Sequence, residues 1–159
     1  MARKSRITEK QPPLTLRERI YKVGLYIRLS VLDSGKKDSD TLESQEDILR
    51  KFIEGKSEFS LVSVYVDNGQ TGVNFVRDEF ERLLSDVRSG KVDCIIVKDL
   101  SRFGRNYIEA GEYLETVFPF MKVRFIAVND RYDNIDPASS DILTMHLKNL
   151  VNDVYARDI

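Results

Sequence analysis

The sequence has few of the residues on which several familiar kinds of site depend. Its 159 residues include one cysteine, one histidine and no tryptophan. A lone cysteine forms no internal disulfide, and Cys94, inside the apolar run "CIIV", is expected to be a buried, inert thiol in a reducing, cytoplasmic compartment. Because the only histidine, His146, falls on a predicted helix stripe, a serine hydrolase that needs a histidine base is disfavoured.

Long hydrophobic runs and an excess of one charge are also lacking. No apolar run approaches the ~20 residues of a membrane-spanning helix, and the basic start "MARKSRITEKQPPLTLRER" lacks the apolar core of a signal peptide. We therefore expect no membrane association. The formal net charge is −1, so any contact with nucleic acid has to come from local clusters of arginine and lysine.

The apolar pattern alternates between strands and helices along the chain. Residues 23–30 alternate as a strand, and a helix is predicted from Thr41 to Gly55. The following segments continue the alternation of strand and helix: "LVSVYV", "DEFERLLSDVRSG", "VDCIIV", "YIEAGEYLETVF" (ended by Pro119) and "VRFIAV". This order predicts an α/β fold with a mostly parallel four- to five-stranded sheet and helices on both faces.

The end of the sequence predicts one long helix. Leu143, Leu147, Leu150 and Val154 recur at helical spacing, and the pattern is still running at Ile159. We expect a flexible basic tail over residues 1–20, a core domain over 21–136, and over 137–159 the start of a long helix that continues into a further domain.

Two strand ends carry the residues that point to chemistry. "YIRLS" places Arg28 and Ser30 on one face of the first strand, and "LSRFGRN" places Arg102 and Arg105 after the third. In parallel sheets ligands bind beyond the carboxyl ends of strands, and guanidinium groups bind phosphate oxygens in pairs. Gln45, inside the apolar stripe of its helix, is either a core strut or part of this site.

Other phosphate chemistries fit less well. The acidic residues at strand ends show no magnesium-ligand spacing; they are Asp67, Asp93, Asp99 and Asp130. The first strand leads into neither G-x-G-x-x-G nor G-x-x-x-x-G-K-[ST]. Two alternatives stay open: a doubly wound domain that binds phosphate or a nucleotide, and an inactive scaffold that only dimerises.

The blocks "YIRLS", "TLESQ" and "LSRFGRN", in this order, resemble the catalytic domain of the serine recombinases, the resolvase/invertase family, and most of all its large members from mobile elements. The resemblance implies that Ser30 is the nucleophile and that Gln45 orients its loop. It also implies that arginines contact the scissile phosphate or stabilise the transition state; these are Arg28, Arg77, Arg102 and Arg105. Ser101 stands where smaller members usually have aspartate, and the resemblance makes Arg157 the counterpart of an arginine in their terminal helix.

The resemblance further implies the reaction and its partners. Double-stranded DNA attachment sites would be cut and rejoined through a 5′-phosphoserine intermediate, with no metal, ATP or other cofactor. A homodimer would assemble into a tetramer on synapsis, with the terminal helix at the dimer interface, and a directionality factor is a possible partner. In this scheme residues 21–136 are the catalytic domain, and DNA sequence is recognised by domains after Ile159.

Overall fold

The computed structural model describes residues 19–29, 41–67, 77–103 and 107–157. Within these ranges one five-stranded sheet has the order β2-β1-β3-β4-β5. The first four strands pair in parallel and β5 is antiparallel to β4. The strand bounds are β1 Tyr21–Arg28, β2 Phe59–Asp67, β3 Cys94–Val97, β4 Arg124–Ala127 and β5 Tyr132–Asp133. The predicted α/β class and mostly parallel sheet are confirmed.

Helices separate the first four strands, as the apolar pattern predicts. The helices are α1 Leu42–Ile53, α2 Asp78–Arg88, α3 Tyr107–Glu112, α4 Phe118–Met121 and α5 Ser139–Arg157. The Thr41 hydroxyl caps α1 by accepting a bond from the Ser44 amide at 3.1 Å, which satisfies one of the free N–H groups of the first turn. None of the described helices is long and apolar enough to cross a bilayer.

Pro119 does not end its helix as the sequence predicted. The chain continues from α3 through a π-helical turn, Tyr113–Val117, into α4, and Pro119 lies in the first turn of α4. Pro119 therefore lies inside a continuous helical segment, where its missing N–H interrupts the ladder of backbone hydrogen bonds; the π-helical turn just before it is the kind of local irregularity that accommodates such an interruption. The helix stops instead at Lys122, whose φ of 56° is left-handed.

The two faces of the sheet are covered by separate cores. On one face, the odd-numbered apolar residues of β1 pack with Leu49 of α1. On the other, Tyr26 joins a larger core that includes Phe80 of α2, Leu114 of the π-helical turn and Leu143 of α5. Helices on both faces are therefore confirmed, and the carboxyl ends of β1, β2 and β3 are left at one edge.

Gly24 allows β1 to lie close to its neighbours. A Cβ at this position would stand 2.9 Å from Tyr65 Cε2 and 3.0 Å from Leu83 Cδ1. Cys94 is fully buried in β3, and burial raises the pKa of its thiol, in keeping with the expected inert residue.

Candidate active site

The ends of β1 and β3 meet, as their parallel pairing requires. Arg28 is the last residue of β1, and its Nη2 donates a hydrogen bond to the Ser101 carbonyl oxygen at 2.9 Å. Ser101 belongs to a 3₁₀ turn, Leu100–Arg102, that follows β3. The contact joins residues 73 positions apart in the sequence, so the blocks "YIRLS" and "LSRFGRN" share one edge of the sheet.

Gln45 supports the end of β1 from the side of α1. Its side chain is 1% exposed, and its Nε2 donates to the Arg28 carbonyl oxygen at 3.4 Å. A buried amide needs such partners, and this one explains a polar residue on the apolar stripe. Ser30 lies two residues beyond Arg28, outside the described residues.

Arg77 is buried, and its side chain binds the backbone of the segment that follows β3. Its Nη2 donates to the Phe103 carbonyl oxygen at 2.7 Å, and its Nη1 contacts Glu109 Oε1 at 2.7 Å. The guanidinium carbon also lies 3.8 Å from the centre of the Phe80 ring. Since both ends of the guanidinium fork bind protein groups, Arg77 in this structure positions the segment between Arg102 and Arg105.

Phe103 anchors the same segment in the core. Its side chain is fully buried, and its ring packs edge-on against Phe125 with centroids 4.8 Å apart. The rings of Phe80, Tyr113 and Phe118 lie 5.5 to 5.8 Å from it. Aromatic pairs at these separations stabilise one another beyond the burial of their area, so the aromatic residue inside "LSRFGRN" fixes the middle of the block.

Ser101 and Asp99 form a pair at the surface of the turn. The exposed Ser101 hydroxyl donates to Asp99 Oδ1. This pairing places a carboxylate next to the position where smaller members of the resembled family carry aspartate. For Arg102 only the backbone is described, and Arg105 lies outside the described residues.

Asp67, the acidic residue that ends β2, lies at the start of a helix. Its carboxylate is 5% exposed and accepts bonds from the Tyr26 hydroxyl at 2.9 Å and from the amides of Glu79 and Phe80 at 3.1 and 3.0 Å. A carboxylate at a helix N-terminus satisfies free N–H groups and complements the helix dipole. Asp67 therefore fixes the start of α2, the helix that Arg77 precedes.

Asp67 also affects the phenol that binds it. Burial, together with the negative charge of Asp67, raises the pKa of Tyr26, so the hydroxyl stays protonated and continues to donate. The sequence signal that could have revealed this role is an aspartate closing a strand shortly before an acidic helix start.

The structure thus brings together Arg28, Gln45, Arg77 and the backbone of Arg102 at one edge of the sheet. The predicted positions of Ser30 and Arg105 lie outside the described residues. In the described part of the chain, no group of three or more histidine, cysteine or acidic residues is arranged to hold a metal ion.

Comparison with protein families gives one match that covers most of the chain. The family model described as the resolvase N-terminal domain matches residues 23–157. A comparison with curated protein sequences finds no significant match.

Solved structures give matches of similar extent. The N-terminal catalytic domain of TP901-1 integrase is 26% identical, with a TM-score of 0.65 over 86% of this chain and 97% of that one. A resolvase family site-specific recombinase from Streptococcus pneumoniae is 28% identical, with a TM-score of 0.64 over 87% and 93%. A serine recombinase from Sulfolobus solfataricus is 28% identical, with a TM-score of 0.52 over 69% of each chain.

Proposed function

Because this chain belongs to the resolvase family and is a site-specific serine recombinase catalytic domain, we propose that Ser30 is the nucleophile that cuts and rejoins its DNA substrate. The observation that carries the proposal is the bond from Arg28 to the Ser101 carbonyl. It holds the strand end that leads to Ser30 against the turn that contains Arg102 and leads to Arg105.

The reaction is an exchange of phosphodiester bonds. The Ser30 oxygen attacks phosphorus, its hydroxyl proton leaves, and the bond to the 3′ oxygen of DNA breaks as that oxygen takes up a proton. A 5′-phosphoserine bond replaces the bond that was cut. The reverse attack by a 3′-hydroxyl rejoins DNA and releases Ser30, so the energy of the phosphodiester is retained and no nucleotide needs to be hydrolysed.

The arginines place positive charge beside the phosphate oxygens, on which negative charge develops during the reaction. Negative charge on the oxygens of the transferring phosphoryl group is stabilised by fixed guanidinium groups. We assign this role to Arg28, Arg102 and Arg105. The remaining proposed site residues, Gln45 and Arg77, act through the backbone groups that they hold, the carbonyls of Arg28 and Phe103.

The proposal also includes the DNA substrate and an assembly of several copies of this chain. Double-stranded attachment sites are the substrates, and a homodimer that pairs into a tetramer on synapsis brings two sites together; a directionality factor would set the outcome. Residues 21–136 are the catalytic domain, 1–20 a basic tail, and 137–159 the start of the dimerisation helix. We propose that the reaction takes place in the cytoplasm.

A covalent-adduct assay tests the nucleophile. Ser30→Ala in the full-length recombinase is incubated with its double-stranded attachment site, and protein–DNA adducts that resist detergent are counted on a gel. We expect no adduct from Ser30→Ala and normal adduct from Ser85→Ala, a control at an exposed position of α2. Adduct formation by Ser30→Ala at the wild-type level would refute the assignment.

A further inference from the structure

Asp130 uses both carboxylate oxygens to join two elements that are distant in the sequence. Its Oδ2 accepts a bond from the Leu100 amide at 2.6 Å, at the first residue of the 3₁₀ turn. Its Oδ1 lies 3.4 Å from His146 Nε2 on α5. One side chain therefore contacts both the turn that carries Arg102 and the terminal helix.

The backbone on either side explains how Asp130 reaches Leu100. Pairing between β3 and β4 continues past both strands, because the Asn129 amide donates to the Lys98 carbonyl at 2.8 Å. Arg131 then turns the chain with a left-handed φ of 52°. Asp130, between these two residues, is brought directly beside the start of the turn after β3.

The contact with α5 is partly shielded from solvent. The side chains of His146 and Asp130 are 31% and 17% exposed. Leu143, one turn earlier on α5, is 5% exposed in the core, and Leu147 packs partly buried against the same core. His146 is therefore held on the packed part of α5, where a small shift of the helix changes its distance from Asp130.

We propose that Asp130 is a positioning residue that couples the placement of α5 to the catalytic turn Leu100–Arg102, with His146 as its contact on the helix. This inference rests on the proposed function, because the turn matters to catalysis only if Arg28 and Arg102 act on DNA. Movement of α5 would alter the Asp130 carboxylate, and through the Leu100 amide it would alter the turn whose Ser101 carbonyl binds Arg28.

A double-mutant cycle separates this coupling from a local packing effect. Asp130→Ala, His146→Ala and the double variant are compared by two measurements. The first is hydrogen exchange of the Leu100 amide in the 159-residue chain, followed by NMR. The second is single-turnover cleavage of the double-stranded attachment site by the full-length protein, with the DNA concentration that gives half-maximal rate measured alongside.

We expect Asp130→Ala to accelerate hydrogen exchange of the Leu100 amide and to slow cleavage, each by about tenfold. The reason is that the Leu100 N–H loses its hydrogen bond to a charged acceptor. His146→Ala should change both by about threefold, since a partly exposed contact contributes less. In the double variant His146→Ala should have no further effect, because in this scheme His146 affects the turn only through Asp130. The DNA concentration for half-maximal rate should stay unchanged.

Two further variants serve as controls. Asp130→Asn keeps an oxygen for the Leu100 amide, so we expect a loss smaller than that of Asp130→Ala; it also supplies a folded variant if the alanine chain does not fold. Ser85→Ala changes an exposed position of α2 and should match wild type in both measurements.

The results that would overturn the coupling are specific. One is an undiminished effect of His146→Ala in the Asp130→Ala background, which would mean that His146 acts by packing alone. Another is cleavage by Asp130→Ala and Asp130→Asn at the wild-type rate. A wild-type protein that forms no covalent adduct with DNA would instead refute the proposed function itself.

Discussion

Removal of the Arg77 guanidinium should weaken both the fold and the catalytic turn. Arg77→Ala removes the ion pair to Glu109 at 2.7 Å and the charged donor to the Phe103 carbonyl. Loss of one partner of a buried ion pair costs about 3 to 5 kcal/mol. Glu109 is 27% exposed, so water recovers part of this energy, and we expect the free energy of unfolding to fall by about 3 kcal/mol.

The measurement is urea unfolding of the 159-residue chain, followed by circular dichroism. Arg88→Ala is the matched control, because Arg88 is an exposed arginine in the last turn of the same helix; its effect should stay within about 0.5 kcal/mol. Arg77→Lys should fall between the two, since one ammonium group does not reproduce the geometry of the guanidinium fork.

A second substitution tests whether loss of the ion pair causes the destabilisation of Arg77→Ala. If it does, Glu109→Ala in the Arg77→Ala background should cost less than in wild type, because the ion pair between the two side chains is already absent. A loss below about 0.5 kcal/mol for Arg77→Ala, or strict additivity of the two substitutions, would refute a buried pair that supports the turn.

Three other substitutions or conditions give distinct outcomes. Gln45→Leu should slow adduct formation by about tenfold without loss of DNA binding, because the Arg28 carbonyl loses its donor; gel assays measure both. Gly24→Ala should lower the free energy of unfolding, measured with urea, by about 1 to 3 kcal/mol, because the new Cβ would be too close to Tyr65. Gly111→Ala is the control: its Cβ makes only ordinary contacts, so this substitution should be neutral or stabilising. Folding raises the pKa of three buried tyrosines, which are Tyr26, Tyr65 and Tyr132. Above pH ~10 the unfolded chain loses their protons before the folded chain does. The free energy of unfolding should therefore fall by about 1.4 kcal/mol per pH unit for each of them.

Tyr132 offers a direct check on the last of these expectations. Burial, followed by the charge of Asp133, raises the pKa of Tyr132 to about 12. The folded state therefore holds its proton between the ordinary value near 10 and about 12, and stability is lost as pH rises through that window. Tyr132→Phe should remove one tyrosine's share of the alkaline slope in urea unfolding at pH 8 to 11, and an unchanged slope would contradict this.

The fold was predictable because its signals are local. Strand alternation and helical stripes depend on residues a few positions apart, and parallel pairing follows from the alternation of strands and helices. β5 was harder, since it has two residues and runs antiparallel. The π-helical turn before Pro119 was also missed, because the prediction treated the proline as a helix end.

The candidate site was predictable only in part. The meeting of Arg28 with the block after β3 follows from the rule that parallel strands end at one edge. The partners of Arg77 do not, because Glu109 and Phe103 lie 32 and 26 residues away on elements whose packing the sequence pattern leaves open. The roles of Asp67 and Asp130 depend in the same way on which backbone amides come to lie beside them.

Three of the polar contacts that support the catalytic turn and the residue after it end on backbone atoms. Arg28 binds the Ser101 carbonyl, Arg77 binds the Phe103 carbonyl, and Asp130 binds the Leu100 amide. Every residue type carries these groups, apart from the N–H that proline lacks. The presence of serine at position 101, where smaller members of the family usually have aspartate, therefore leaves the contact with Arg28 intact, because that contact ends on the backbone carbonyl of the residue.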